Sequence, residues 1–151
     1  MNRGAAMPNN FLSLLDLQKQ FRDCLASEGA EEFLKILLNL MALAFVMDSE
    51  FRKNIKGFNG RYLFKSVDGS ITVSALFRDN QLHVREEPIA NPNITVLFKD
   101  GRALMNYLLS PKPDILGSIM RQEVTLDGNL NYLYKFAYMA KRLQLMVTGQ
   151  L

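Results

Sequence analysis

The chain has 151 residues, of which 48% are hydrophobic and 22% charged, and its formal net charge is +3. That length suits one folded domain able to bury a substantial core, and the balance excludes a disordered, tail-like chain. A single cysteine, Cys24, and a single histidine, His83, exclude intrachain disulfides, cysteine-cluster metal sites and the usual catalytic triads, so no metal and no cofactor are expected.

The first eight residues, MNRGAAMP, lack the apolar run of a secretory signal, and cysteine usage fits a reducing compartment, so the expected location is cytoplasmic. Leu14, Leu17, Phe21 and Cys24/Leu25 recur at spacings of three and four and predict a helix, which Gly29 separates from a second one starting near Ala30. From Phe33 to Met47 this second helix reads FLKILLNLMALAFVM, interrupted only by Lys35 and Asn39. It falls short of the ~20 apolar residues that a membrane span needs. A helix with no polar face is normally buried. Three burials are open to it, ranked as the domain's own core, a homodimer interface through Phe33–Met47, and a transient membrane contact. Arg52, Lys53, Lys56, Arg61 and Lys65 form the densest basic group, but no aromatic RNA-binding signature follows them. They read as a solvated face, with no nucleic acid as partner.

From Arg61 the period changes to two. Tyr62 and Phe64 alternate with Arg61, Leu63 and Lys65, and Asp68-Gly69 makes a hairpin-type turn. Ile71, Val73, Ala75 and Phe77 then point one way while Ser70, Thr72 and Ser74 point the other. Asp79-Asn80 supplies a second tight turn, since both residue types tolerate positive φ, and Leu82 and Val84 continue the pattern. Pro88 and Pro92 interrupt the ladder before Ile94, Val96 and Phe98 resume it as a fourth strand. Asp100 is placed to cap a helix through Leu104, Met105, Leu108 and Leu109, which Pro111 and Pro113 end. A short helix, Ile115 to Met120, precedes a fifth strand at Glu123–Leu126 and a final helix from Leu130 to about Val147. The predicted class is α+β: a five-stranded, mostly antiparallel sheet covered by helices, with an N-terminal helical extension.

The turn Asp127-Gly128-Asn129 opens the last helix, where a phosphate loop could sit. It lacks the lysine, the Ser/Thr and the glycine spacing of one, and an aspartate there competes with a phosphate for the same amides. It reads as a turn, with Asp127 or Asn129 capping the helix. His83 alternates with Leu82 and Val84 and so faces away from the apolar side, and Glu86 and Glu87 point to opposite faces if the strand continues. No catalytic residue is assigned.

The final helix carries one apolar stripe at Leu130, Leu133, Tyr134, Ala137 and Ala140 and another at Tyr132, Phe136, Met139, Leu143 and Met146. Packing on one sheet needs only one stripe. The other asks for a helix, a partner subunit or a ligand, and the eight methionines, as flexible gap-fillers, suit either a core or an adaptable surface.

Three segments, the Asp68-Gly69 hairpin, PNITVLFKDGRALMNYL and VTLDGNLNYLYKF, give the region from about Phe58 to Leu145 a further reading. In order and in these motifs it resembles the sterol carrier protein type 2 domain, a lipid-binding α+β fold whose sheet and helices enclose an apolar cavity. Gly128 and Asn129 match the Gly-Asn pair that precedes that family's last helix. The resemblance implies an N-terminal helical region at 1–57 packed on a lipid-binding domain at 58–151. It implies a cavity bounded by Phe98, Leu104, Leu108, Ile115, Ile119, Leu133, Phe136, Ala137 and Ala140. It also implies non-enzymatic binding or transfer of a lipid-like molecule of fatty acyl, sterol-like or isoprenoid kind. The alternative is a scaffold or dimerising accessory protein that docks a partner or presents a lipid substrate to an enzyme. The N-terminal region is longer and more apolar than that family's usual lead-in, and Thr148-Gly149-Gln150-Leu151 is not a peroxisomal address, so neither a peroxisomal role nor a sterol in particular is carried over.

Overall fold

Residues 29–104 and 119–147 are described by the computed structural model. Helix α1 spans Ala30–Met47 and leads through a one-turn helix α2, Ser49–Arg52, and a short 3-10 turn, Lys53–Ile55, into the sheet. Strands β1 (Gly60–Ser66), β2 (Thr72–Arg78), β3 (Gln81–Arg85), β4 (Ile94–Phe98) and β5 (Val124–Gly128) precede the final helix α3, Leu130–Val147. The helix expected near residues 14–25 lies outside the described residues, as do residues 105–118.

The sheet has the order β3-β2-β1-β4-β5, and β1 and β4 run parallel while the other neighbours are antiparallel. Both tight turns form as their residues dictate. Asp79 and Asn80 take positive φ of 53° and 59°, and Gly69 takes 77°. At the first turn the Asp68 carboxylate accepts from the Ser66 hydroxyl at 2.6 Å and from the Ser70 amide at 3.1 Å, so its pKa lies below the ordinary aspartate value.

The alternation fails on one side of the sheet for a topological reason. Tyr62, Phe64, Val73, Ala75, Phe77, Ile94, Val96 and Phe98 face the helices as expected, but Leu63 and Leu76 on the opposite face are buried as well. A strand parallel to β1 can be reached from β3 only by crossing the sheet. Residues 86–93 make that crossing over the outer face: Ser74 donates its hydroxyl to the Glu87 carbonyl, and Arg61 donates from Nε and Nη2 to the Ala90 carbonyl at 3.0 and 2.7 Å. The crossover accounts for the cover over Leu63 and Leu76.

Helix α1 goes into the core that the sheet and α3 share. Phe33, Leu34, Leu37, Leu38, Leu40, Met41, Ala44 and Phe45 are buried there, leaving Glu32, Asn39, Val46 and Met47 exposed. Glu31 accepts from the Thr72 amide at 3.1 Å, and Lys35 pairs with Glu32 at 2.8 Å and with Glu86, which ties the helix to the open end of the β2–β3 hairpin. At its far end Asp48 caps α2, accepting from the Glu50 and Phe51 amides at 2.9 and 3.1 Å. The Arg52 guanidinium folds back to donate to the Phe45 and Val46 carbonyls, which satisfies groups that the helix end would otherwise leave open.

Candidate ligand-binding site

The last helix is aimed by a close approach of backbones. Strand β5 runs on through Asp127 and Gly128, which pair with Thr95 and Ile94, so the expected turn is shorter than its sequence implied. Gly128 has φ +127°, and a Cβ there would lie 2.2 Å from the Asn93 carbonyl oxygen and 2.8 Å from the Ile94 Cα. Asn93 knots three elements at that point. Its Oδ1 accepts from the Arg61 amide at 2.8 Å, while its carbonyl accepts from the Asn129 amide at 2.9 Å. Asn129 then caps α3 by accepting from the Asn131 amide at 2.9 Å. The Gly-Asn pair therefore serves to set the helix across the sheet.

The two stripes expected on α3 sort differently in space. Leu133, Phe136, Met139, Ala140 and Leu143 form one buried face, whereas Leu130, Tyr134 and Tyr138 face solvent. On a helix these buried positions lie within one arc of about 120° that takes residues from both expected stripes, because a broad sheet and α1 both pack against it.

Of the residues expected to bound a cavity, Phe98, Leu104, Leu133, Phe136 and Ala140 belong to one buried cluster. Ala137 is half-buried beside them, and Ile119 lies at the surface, 39% exposed. Leu108 and Ile115 lie outside the described residues. The elements bring this group together for clear local reasons. Phe98 is the last inward residue of β4, and Leu104 sits one turn into a helix whose start is fixed by Asp100 Oδ1 accepting from the Ala103 amide at 2.9 Å. The start of that helix presses on α1, for a Cβ on Gly101 would lie 2.9 Å from Ala30 Cβ.

Over β1 and β2 the interior is packed by rings. Phe136 lies 5.1 Å from Phe64 and 5.7 Å from Tyr62, and Tyr62 lies 5.4 Å from Phe77, all between ring centroids. The buried Tyr62 hydroxyl donates to the Tyr132 carbonyl at 2.6 Å, and burial holds its pKa far above the ordinary phenol range. Tyr62 was legible as inward-facing from alternation, but its bond to α3 had no sequence signal. A satisfied phenol among hydrocarbon offers shape and apolar contact and does not move a proton. His83 is half-buried on the opposite face. Among the described residues no group of His, Cys, Asp or Glu is arranged to hold a metal ion, and no helix is long and apolar enough to cross a membrane.

No protein-family model matches this chain, and no curated protein matches it by sequence. Solved structures do. A ubiquinone synthesis protein, UbiJ-SCP2, superposes with a TM-score of 0.56 at 16% identity over 76% of this chain and 91% of its own. The sterol carrier protein domain 2 of Helicoverpa armigera superposes with a TM-score of 0.51 at 14% identity over 75% and 87%. The fold is that of a sterol carrier protein domain. A stereoselective inverting sec-alkylsulfatase from Pseudomonas sp. gives a TM-score of 0.52 at 18% identity over 70% of this chain. The chain spans only 15% of that enzyme, which thus shares the sterol carrier fold in one segment.

Proposed function

We propose that this protein binds or transfers a lipid-like molecule, of fatty acyl, sterol-like or isoprenoid kind, without chemical change to it. The observation that carries this reading is the superposition over nearly the whole length of a sterol carrier domain and of a protein of ubiquinone synthesis. The apolar body of the ligand lies against Phe98, Leu104, Leu108, Ile115, Ile119, Leu133, Phe136, Ala137 and Ala140. Apolar burial alone supplies enough affinity, at ~0.8 kcal/mol per methylene, so no polar anchor is needed.

Titration with a fluorescent acyl probe tests the reading. Binding should saturate and be competed by long-chain fatty acids. Absence of saturable binding would refute it.

A further inference from the structure

A second surface, lined by other residues, has a different shape. Asn39, Ala42, Leu43 and Val46 lie at i, i+3, i+4 and i+7 of α1, on one face of the helix, and border a groove of about 450 Å³ whose other wall is Gln81, Leu82 and His83 of β3. Side chains alternate along a strand, so three consecutive residues can line one groove only where the strand presents its backbone edge. Strand β3 is an edge strand of the described sheet. Every second N–H and C=O of such an edge points outward, open to another chain.

Next to the groove lies a recess of about 240 Å³ bordered by Ser49, Arg52, Lys53, Lys56 and Asn80, walled by the aliphatic stems of its basic residues. Asn80 and Gln81 are consecutive, and Arg52 bonds the carbonyl of Val46, so the two recesses are neighbours at both walls. Glu50 pairs with Lys53 at 2.8 Å, which leaves the cations of the pocket in excess over its carboxylates. Val46, beside this junction, is 60% exposed.

We infer that this groove docks an extended segment of a partner protein by strand addition to β3, with apolar side chains over Ala42, Leu43 and Val46 and an acidic end in the Arg52–Lys53–Lys56 pocket. A strand edge beside a helix is the geometry by which extended peptides are held through main-chain hydrogen bonds. A lipid tail would leave those backbone groups unanswered. The five residues of β3 match a peptide reach of ~17 Å. This inference stands apart from the lipid reading, since none of the residues it uses lines that site.

The test is fluorescence anisotropy of the full chain with a labelled peptide of alternating valine and threonine that ends in aspartates. Saturable binding is expected, weakened about tenfold or more when alternate peptide amides are N-methylated, when lysines replace the aspartates, or in the exposed variants Val46→Glu and Lys56→Glu. Absence of saturation, or indifference to N-methylation, would overturn the inference. An acyl-probe titration of Val46→Glu separates the two sites: unchanged acyl affinity supports the assignment, and acyl competition with the peptide would overturn it. Peptide binding without any acyl binding would sink the lipid reading alone.

Discussion

Replacing Gly128 by alanine should destabilise the protein far more than the loss of a single flexible residue. Its φ of +127° is one that residues with a side chain rarely adopt, and the added Cβ would lie 2.2 Å from the Asn93 carbonyl oxygen, a backbone atom that cannot swing aside. Strain at such a φ costs about 1–3 kcal/mol and forced overpacking about 1–3 kcal/mol, so roughly 2–6 kcal/mol is expected in all. That corresponds to a fall in Tm of about 5–20 °C for a domain of this size. Gly69→Ala is the control, because φ there is also positive, at +77°, but nothing lies within 4 Å of the new Cβ. It should cost only about 1–2 kcal/mol. Thermal and urea unfolding followed by circular dichroism would measure both variants. Equal losses would refute the claim that β5 and β4 are held in contact through Gly128.

Asn129→Ala, which removes the amide cap on Asn131, should cost about 1 kcal/mol in the same assay and leave the sheet intact. The Asp68 carboxyl has its pKa lowered by the Ser66 hydroxyl and the Ser70 amide, so its contribution is present above the ordinary aspartate pKa and is lost as pH falls through the lowered value. Urea unfolding at neutral and acid pH should therefore show Asp68→Asn losing less stability on acidification than the parent protein; an equal or greater loss would argue against the turn bonds. If the ligand is an acyl chain, affinity should rise about fourfold per added methylene until the site is filled, since ~0.8 kcal/mol per methylene is at stake. Ala137→Phe, at a half-buried position, should lower acyl affinity about tenfold with little change in Tm.

Local chemistry was legible wherever a few adjacent residues decide the outcome. Asp68-Gly69 and Asp79-Asn80 turn because their backbones accept positive φ, and Asp100 and Asn129 cap because a short oxygen-bearing side chain stands just before a helix. What depends on topology was not legible. Nothing local reveals that β4 runs parallel to β1, so the burial of Leu63 and Leu76 beneath the crossover could not be read from alternation. The same holds for Asn93, a loop asparagine just before β4 whose bonds to Arg61 of β1 and to Asn129 before α3 form only after the sheet has assembled. Helix α3 was given two apolar stripes because period alone does not say which surfaces it meets; Leu130 and Tyr134 went to solvent, while Leu133 and Ala140 joined Phe136. Within the candidate site, Phe98, Leu104, Leu133, Phe136 and Ala140 came together because each faces inward on its own element, a property that sequence period carries. Ile119 faces solvent although helical facing had placed it inward.

Native mass spectrometry of the freshly purified protein, before and after extraction with organic solvent, puts the lipid reading to the most direct test. A carrier of apolar ligands should show a lipid-sized adduct that solvent removes and that added long-chain fatty acid or prenyl compound restores to a saturating one-to-one complex. A bare mass before extraction, together with no complex on adding either class of ligand, would contradict it.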